Sequence, residues 1–241
     1  MDWLSTLWQR VSATQEPLPP AIAAITMAVA ALVVLTPGAW HLARHAITIA
    51  HEGGHAVAAT LSGRRLSGIR LHADTSGLTL SRGRTRGPGM VMTLLAGYPA
   101  AGLLGLGAAW MLSRGFAVGM LWALLGLLTL LLLQVRNWFG LWSVLVTGAI
   151  LVFVTWFGAP DVQGIFSLLV TTFLLLGSVR TVLELQASRR RRRGGLSDAD
   201  QLARITRVPG IFWVGLLLAI TIGCAVASAV LLGVTSWLPG T

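Results

Sequence analysis

With 55% hydrophobic and 11% charged residues over 241 positions, and a mean hydropathy of +0.76, the chain excludes an ordinary water-soluble domain. Its 18 positive side chains are all arginine and its formal charge is +10; because these arginines flank apolar runs, they point to lipid headgroups and membrane topology, not to nucleic acid. The single cysteine, Cys224, excludes an intramolecular disulfide and a Cys-rich zinc cluster, so any bound metal must be held by histidine and carboxylate.

Taken in chain order, residues 1–20 read as a short interfacial lead-in, with Trp3 and Trp8 near the headgroups and no arrangement typical of a cleavable signal. Runs long and apolar enough for membrane helices follow at Ala21–Thr36, Trp40–Leu61, Pro88–Leu112, Phe116–Val135, Phe139–Phe157, Val162–Glu184 and Gly210–Leu231. The first run is short and ends at Pro37-Gly38. The expected fold class is therefore an all-α polytopic membrane protein of about seven transmembrane helices, forming one membrane-embedded domain over residues 1–241. Seven crossings put the termini on opposite sides. With the N-terminus in the cytoplasm, only Arg44 and Arg114 fall outside, which is the asymmetry expected of an integral protein of a bacterial cell membrane.

Two connections carry most of the remaining polarity. In residues 62–87, Leu66, Ile69, Leu71, Leu78 and Leu80 alternate imperfectly with polar residues around "ADTSG", as in a small β-hairpin; a basic loop lying on anionic lipid is the alternative. Residues 185–209 begin with the run Arg189 to Arg193, an anchor for the inner face. They continue with "SDAD", in which Ser197 and Asp200 form a capping-box-like helix start.

The second run contains "HEGGH", residues 51–55. Histidines at i and i+4 lie one turn apart on one helix face, so His51 and His55 can point at one ion. Zinc suits two such nitrogens plus one further ligand, with a fourth position left for water. Glu52, rotated about 100° around the axis, is placed to act as general base on that water. A carboxylate inside a span costs about 2.5–3.5 kcal/mol on insertion scales, so its presence argues for function. Gly53 and Gly54 fill the variable positions despite their cost in a helix, which predicts close approach by another helix or a peptide backbone.

"HEGGH" in a membrane helix, the basic hairpin-like segment after it and "AGYPAAG" in the next helix together resemble the site-2 protease family of intramembrane zinc metallopeptidases, in particular its compact bacterial branch. The resemblance implies zinc held by His51, His55 and an aspartate, with Glu52 as base. The implied substrate is a membrane protein in the lipid bilayer, a strand of which pairs with a sheet edge near the site. The chain departs from the family in lacking the Asp-Gly motif that usually supplies the aspartate; "RNWFG", with Asn137, stands as a remnant. Among the acidic residues, Asp2 and Glu16 precede the first span, Asp161 faces outward and Glu184 is interfacial, which leaves Asp74, Asp198 and Asp200. Asp200 is occupied as a cap partner and "SDADQLA" resembles a segment of the compact branch, so Asp198 is taken as the third ligand, with Asp200 next. Tyr98 is a candidate to hydrogen-bond a substrate carbonyl, or a packing residue. His72 reads as a surface residue. Two other functions fit the same residues: a proton or metal transporter using His41, His45, His51, Glu52 and His55 as a polar stripe, and a non-catalytic relative that binds a membrane partner.

Overall fold

The computed structural model describes residues 3–191 and 197–234. Asp2, Arg192, Arg193 and the side chain of Trp3 lie outside the described residues. The elements are α1 (Trp3–Ser12), α2 (Pro20–Leu35), α3 (Pro37–Leu61), β1 (Arg65–Leu71), β2 (Gly77–Arg82), α4 (Pro88–Ser113), α5 (Ala117–Leu132), α6 (Trp138–Phe157), α7 (Pro160–Arg191), α8 (Asp198–Thr206) and α9 (Gly210–Leu231). Proline opens α2, α3, α4 and α7 at their first turns, where its missing N–H has no intrahelical partner to lose.

Every apolar run forms a helix, but the expectation of seven separate spans is narrowed. Among the described residues, four helices, α4, α6, α7 and α9, are long and apolar enough to cross a membrane, and α2 with α3 adds one more if that pair is a single span bent by 98°. The bend follows from Thr36-Pro37: the residue before a proline is pushed to extended backbone, and Thr36 sits at φ −81°, ψ 117°. A contact also contradicts the expectation that Arg44 lies at the outer face, away from Glu184 and the inner arginine run that follows it. Glu184 on α7 accepts from Trp40 Nε1 at 2.8 Å and from Arg180 Nε at 2.9 Å, and it meets Arg44 Nη1 at 3.4 Å. Arg44 and Glu184 therefore share one level of the bundle.

Three apolar clusters position the elements. Val34, Trp40, Ile47, Ala50, Ala101 and Leu174 join the α2–α3 elbow to α4 and α7. Leu94, Val182, Ala199, Leu202, Trp213 and Leu217 dock α8 onto α4, α7 and α9. Ile69 and Leu71 of β1 pack with Met120, Leu121, Leu128 and Val144 of α5 and α6. Outward, large apolar side chains such as Leu61, Trp138, Phe153 and Phe157 stay exposed, as a lipid-facing surface requires.

The segment expected as a hairpin is one: β1 and β2 pair antiparallel, with Ile69 opposite Thr79 and Leu71 opposite Gly77. Its turn is held by Asp74, whose Oδ1 accepts from Ser76 N at 3.0 Å, and by Thr48 Oγ1, which donates to Thr75 O at 2.9 Å. Thr75 itself has φ 68°, a costly conformation for a β-branched residue that the Thr48 contact helps to hold.

The two edges of this sheet differ. Ile69 N donates to Gln134 O at 2.8 Å and Arg136 N donates to Ile69 O at 2.9 Å. Asn137 continues the pattern with its side chain, accepting from Leu71 N at 3.1 Å and donating to Leu71 O at 2.7 Å. The far edge of β1 is thus covered. In an antiparallel ladder, residues opposite each other in a non-hydrogen-bonded pair turn their N–H and C=O outward on both sides. Since Ile69 and Leu71 turn theirs toward 134–137, their partners Thr79 and Gly77 turn theirs to the outer edge of β2, which no strand covers among the described residues.

Candidate metal centre

His51 and His55 project from one face of α3, and their Nε2 atoms lie 3.0 Å apart. Asp198 Oδ2, from the first turn of α8, is 3.4 Å from His51 Nε2 and 3.2 Å from His55 Nε2. Among the described residues this is the one group of three such side chains that could hold a metal ion. The donors fit zinc: a tetrahedron with bonds of about 2.0–2.1 Å has ligand–ligand edges of about 3.3–3.4 Å. Nδ1 of His55 lies 2.6 Å from Thr93 O. A carbonyl only accepts, so Nδ1 carries the proton and Nε2 presents its lone pair to the centre.

Asp198 reaches the centre because α8 is fastened from three directions. Ala199 and Leu202 are fully buried beneath it. Ser197 caps the helix by accepting from Asp200 N at 3.3 Å, and Arg189 Nε of α7 donates to Asp200 Oδ1 at 2.8 Å. Burial pushes the Asp198 carboxyl up, but the two imidazoles beside it, His51 and His55, outweigh burial and hold the group well below the usual carboxylate range. Asp200 is also lowered: burial opposes, and the Ser197 hydroxyl and Arg189 guanidinium prevail.

Glu52 is 3% exposed. Thr79 Oγ1 of β2 donates to its Oε2 at 2.6 Å, and a Cβ at Gly77 would overlap the same carboxylate. Close approach also brings α4 to the site. A Cβ at Gly97 would come within 2.5 Å of the His55 ring and 2.7 Å of the His51 ring, and one at Gly54 within 2.5 Å of Ala96 O. Glycine at 97 in "AGYP" is therefore what lets α4 lie against both imidazoles.

A family model described as Peptidase M50B-like matches residues 24–228, most of the chain. The chain belongs to this family. Neither a curated protein nor a solved structure matches it. Membership makes the resemblance to the site-2 proteases a finding, and it supports a membrane metallopeptidase.

For a Peptidase M50B-like chain without the Asp-Gly motif, the fate of each candidate is informative. Asp198 joins the two histidines, whereas Asp200 turns to Ser197 and Arg189 and Asp74 is used in the hairpin turn. Asn137 of "RNWFG" is 66 residues from Leu71 in sequence and binds its backbone. The Tyr98 ring stands edge-on to His51, with centroids 4.6 Å apart. His41 is exposed, His45 packs against Phe139 at 5.4 Å between centroids, and His72 is exposed beside Ser76; none of the three belongs to the metal group. Thr79, Gly77 and the carbonyl of Thr93 were not singled out by sequence. Only the glycine-rich spelling of "AGYPAAG" and "TSGLT" hints at such close contacts.

Proposed function

We propose that this chain is a zinc-dependent intramembrane endopeptidase that hydrolyses a peptide bond in or near a transmembrane segment of another membrane protein. The observation that carries the reading is the convergence of His51, His55 and Asp198 to within 3.4 Å, beside the buried carboxylate of Glu52 from the same helical turn as the two histidines. A zinc ion held by the three would supply Lewis acidity toward a peptide carbonyl and lower the pKa of water to about 7. Glu52 takes the proton from the attacking water and returns it to the leaving amine. His55 is oriented for its part by Thr93 O, and Asp198 by the docking of α8. The outer edge of β2 offers unpaired main-chain groups next to Glu52, so an extended substrate segment fits there as an added strand. In a membrane such a segment has to leave its helix first.

The test is metal removal. The purified protein in proteoliposomes is expected to cut a single-span reporter whose span contains Gly and Pro; chelation should slow cleavage about 100-fold or more, and zinc should restore it. Undiminished cleavage by protein shown to be metal-free sinks the reading.

The path of the chain supports a specific orientation. α1 and the loop after it meet the far end of the bundle: Gln15 N donates to Gly115 O at 2.9 Å, Gln15 Nε2 donates to Gln163 Oε1 at 3.3 Å, and Arg10 lies over Trp156 at 5.6 Å. If α2–α3 is one bent crossing and the 16-residue α5 another, the chain crosses six times, and both ends of the described chain lie opposite the site. Arg64, Arg65, Arg82, Arg84, Arg86, Arg136 and Arg189 to Arg191 then cluster at the site end, with Arg10 and Arg114 at the other. The site end is therefore cytoplasmic, and the N-terminus is external, the reverse of the orientation inferred from seven crossings. Ala13→Cys is expected to react with a membrane-impermeant maleimide in intact cells, and Thr85→Cys only after lysis; the opposite pattern overturns this orientation.

A further inference from the structure

We propose that Thr79 is a positioning residue that couples the seating of a substrate strand on β2 to the aim of the Glu52 carboxylate; the inference rests on the protease reading above. Glu52 is almost wholly buried, and a buried carboxylate has to be hydrogen-bonded to stay charged. Its side-chain donor is Thr79 Oγ1, 2.6 Å from Oε2. The same hydroxyl lies 3.1 Å from Glu52 O, but it has one proton, and the shorter, charge-assisted bond takes it.

What makes Thr79 more than a buried partner is the direction of its main chain. Its N–H and C=O turn to the uncovered edge of β2 while its side chain turns to Glu52. One residue thus faces the incoming strand with its backbone and the base with its hydroxyl. Gly77, the next residue with outward main-chain groups, leaves the same carboxylate the space that a Cβ there would fill. On the opposite edge, 134–137 and the Asn137 side chain hold β1 fast. The sheet can gain a strand at β2 alone, where pairing would stiffen the residue that holds the base.

The test uses the zinc-loaded full chain and the Gly/Pro-containing single-span reporter. Thr79→Val keeps the shape and the strand preference and removes the donor. It is expected to lower kcat about 10- to 100-fold, the worth of a hydrogen bond to a charged group, with KM and zinc content unchanged. Thr79→Ser, which restores the donor, should recover most of the rate. Reporter capture, measured without turnover, should be equal for Glu52→Gln and for Glu52→Gln with Thr79→Val. Thr79→Val turning over like wild type overturns the inference, as does Thr79→Ser failing equally. A rise in KM and loss of capture with kcat intact also overturns it, because the hydroxyl would then serve docking alone. These outcomes leave the protease reading standing. If wild-type protein with bound zinc cuts nothing, that reading itself fails, and the positioning role with it.

Discussion

Asp198→Ala is expected to strip the purified protein of stoichiometric zinc, while Asp200→Ala retains it. Both acids lie in the first turn of α8, and their side chains point in different directions. Asp198 Oδ2 sits within 3.4 Å of both imidazole nitrogens. Asp200 accepts from Arg189 Nε and from the Ser197 hydroxyl and has no contact with either histidine. Removing Asp198 leaves two neutral nitrogens from one helix turn, short of the three protein ligands of a catalytic zinc site. Removing Asp200 loosens α8 and withdraws support from Asp198, a loss of the kind that costs about 10- to 100-fold in metal affinity. The measurement is zinc per chain by elemental analysis, with competition against a chelator of known affinity. An Asp198→Ala protein that holds zinc as tightly as wild type would falsify the assignment of the third ligand.

Glu52→Gln is expected to keep zinc and lower turnover about 10²- to 10⁴-fold, the usual worth of a positioned general base. The amide has nearly the same shape, and its oxygen can still accept from the Thr79 hydroxyl, so the clamp between α3 and β2 persists. An amide cannot take the water's proton. Replacing a charge at a site only 3% exposed also removes a desolvation cost, so the variant should melt no lower than wild type and lost activity would not be lost fold. Equal zinc content, equal or higher melting temperature and collapsed kcat is the expected pattern. Wild-type turnover by this variant would leave Glu52 without a catalytic part.

The contrast between these two residues shows how unevenly the site could be read. His51, Glu52 and His55 are neighbours in one helix, and the 3.6-residue period alone sets their mutual placement. Asp198 is joined to them by nothing local. Its choice from sequence came by elimination and resemblance, and the elimination drew on a seven-crossing topology that the α2–α3 bend and the Arg44–Glu184 contact do not support. Asp198 lies beside both histidines in the structure. Asp200 is consumed by its cap and by Arg189, as the "SDAD" spelling foretold, and Asp198 is the acid left on the inward side.

Local rules were sufficient wherever the chain's own spacing carries the information. The apolar runs, their proline starts, the hairpin and the capped α8 all follow from nearest-neighbour preferences and periodicity, and so does the placing of two histidines and a glutamate in one helical turn. The tertiary structure alone shows the 98° bend at Thr36-Pro37, which makes the first two runs a single candidate crossing at most. It also decided that Thr79 holds the Glu52 carboxylate, that Gly97 admits α4 to the imidazoles and that Asn137 covers β1. Each of these is a contact between segments distant in sequence, set by how helices and sheet pack against one another. A glycine or a threonine in the sequence does not name its partner; the packing that brings the partner within 3 Å does.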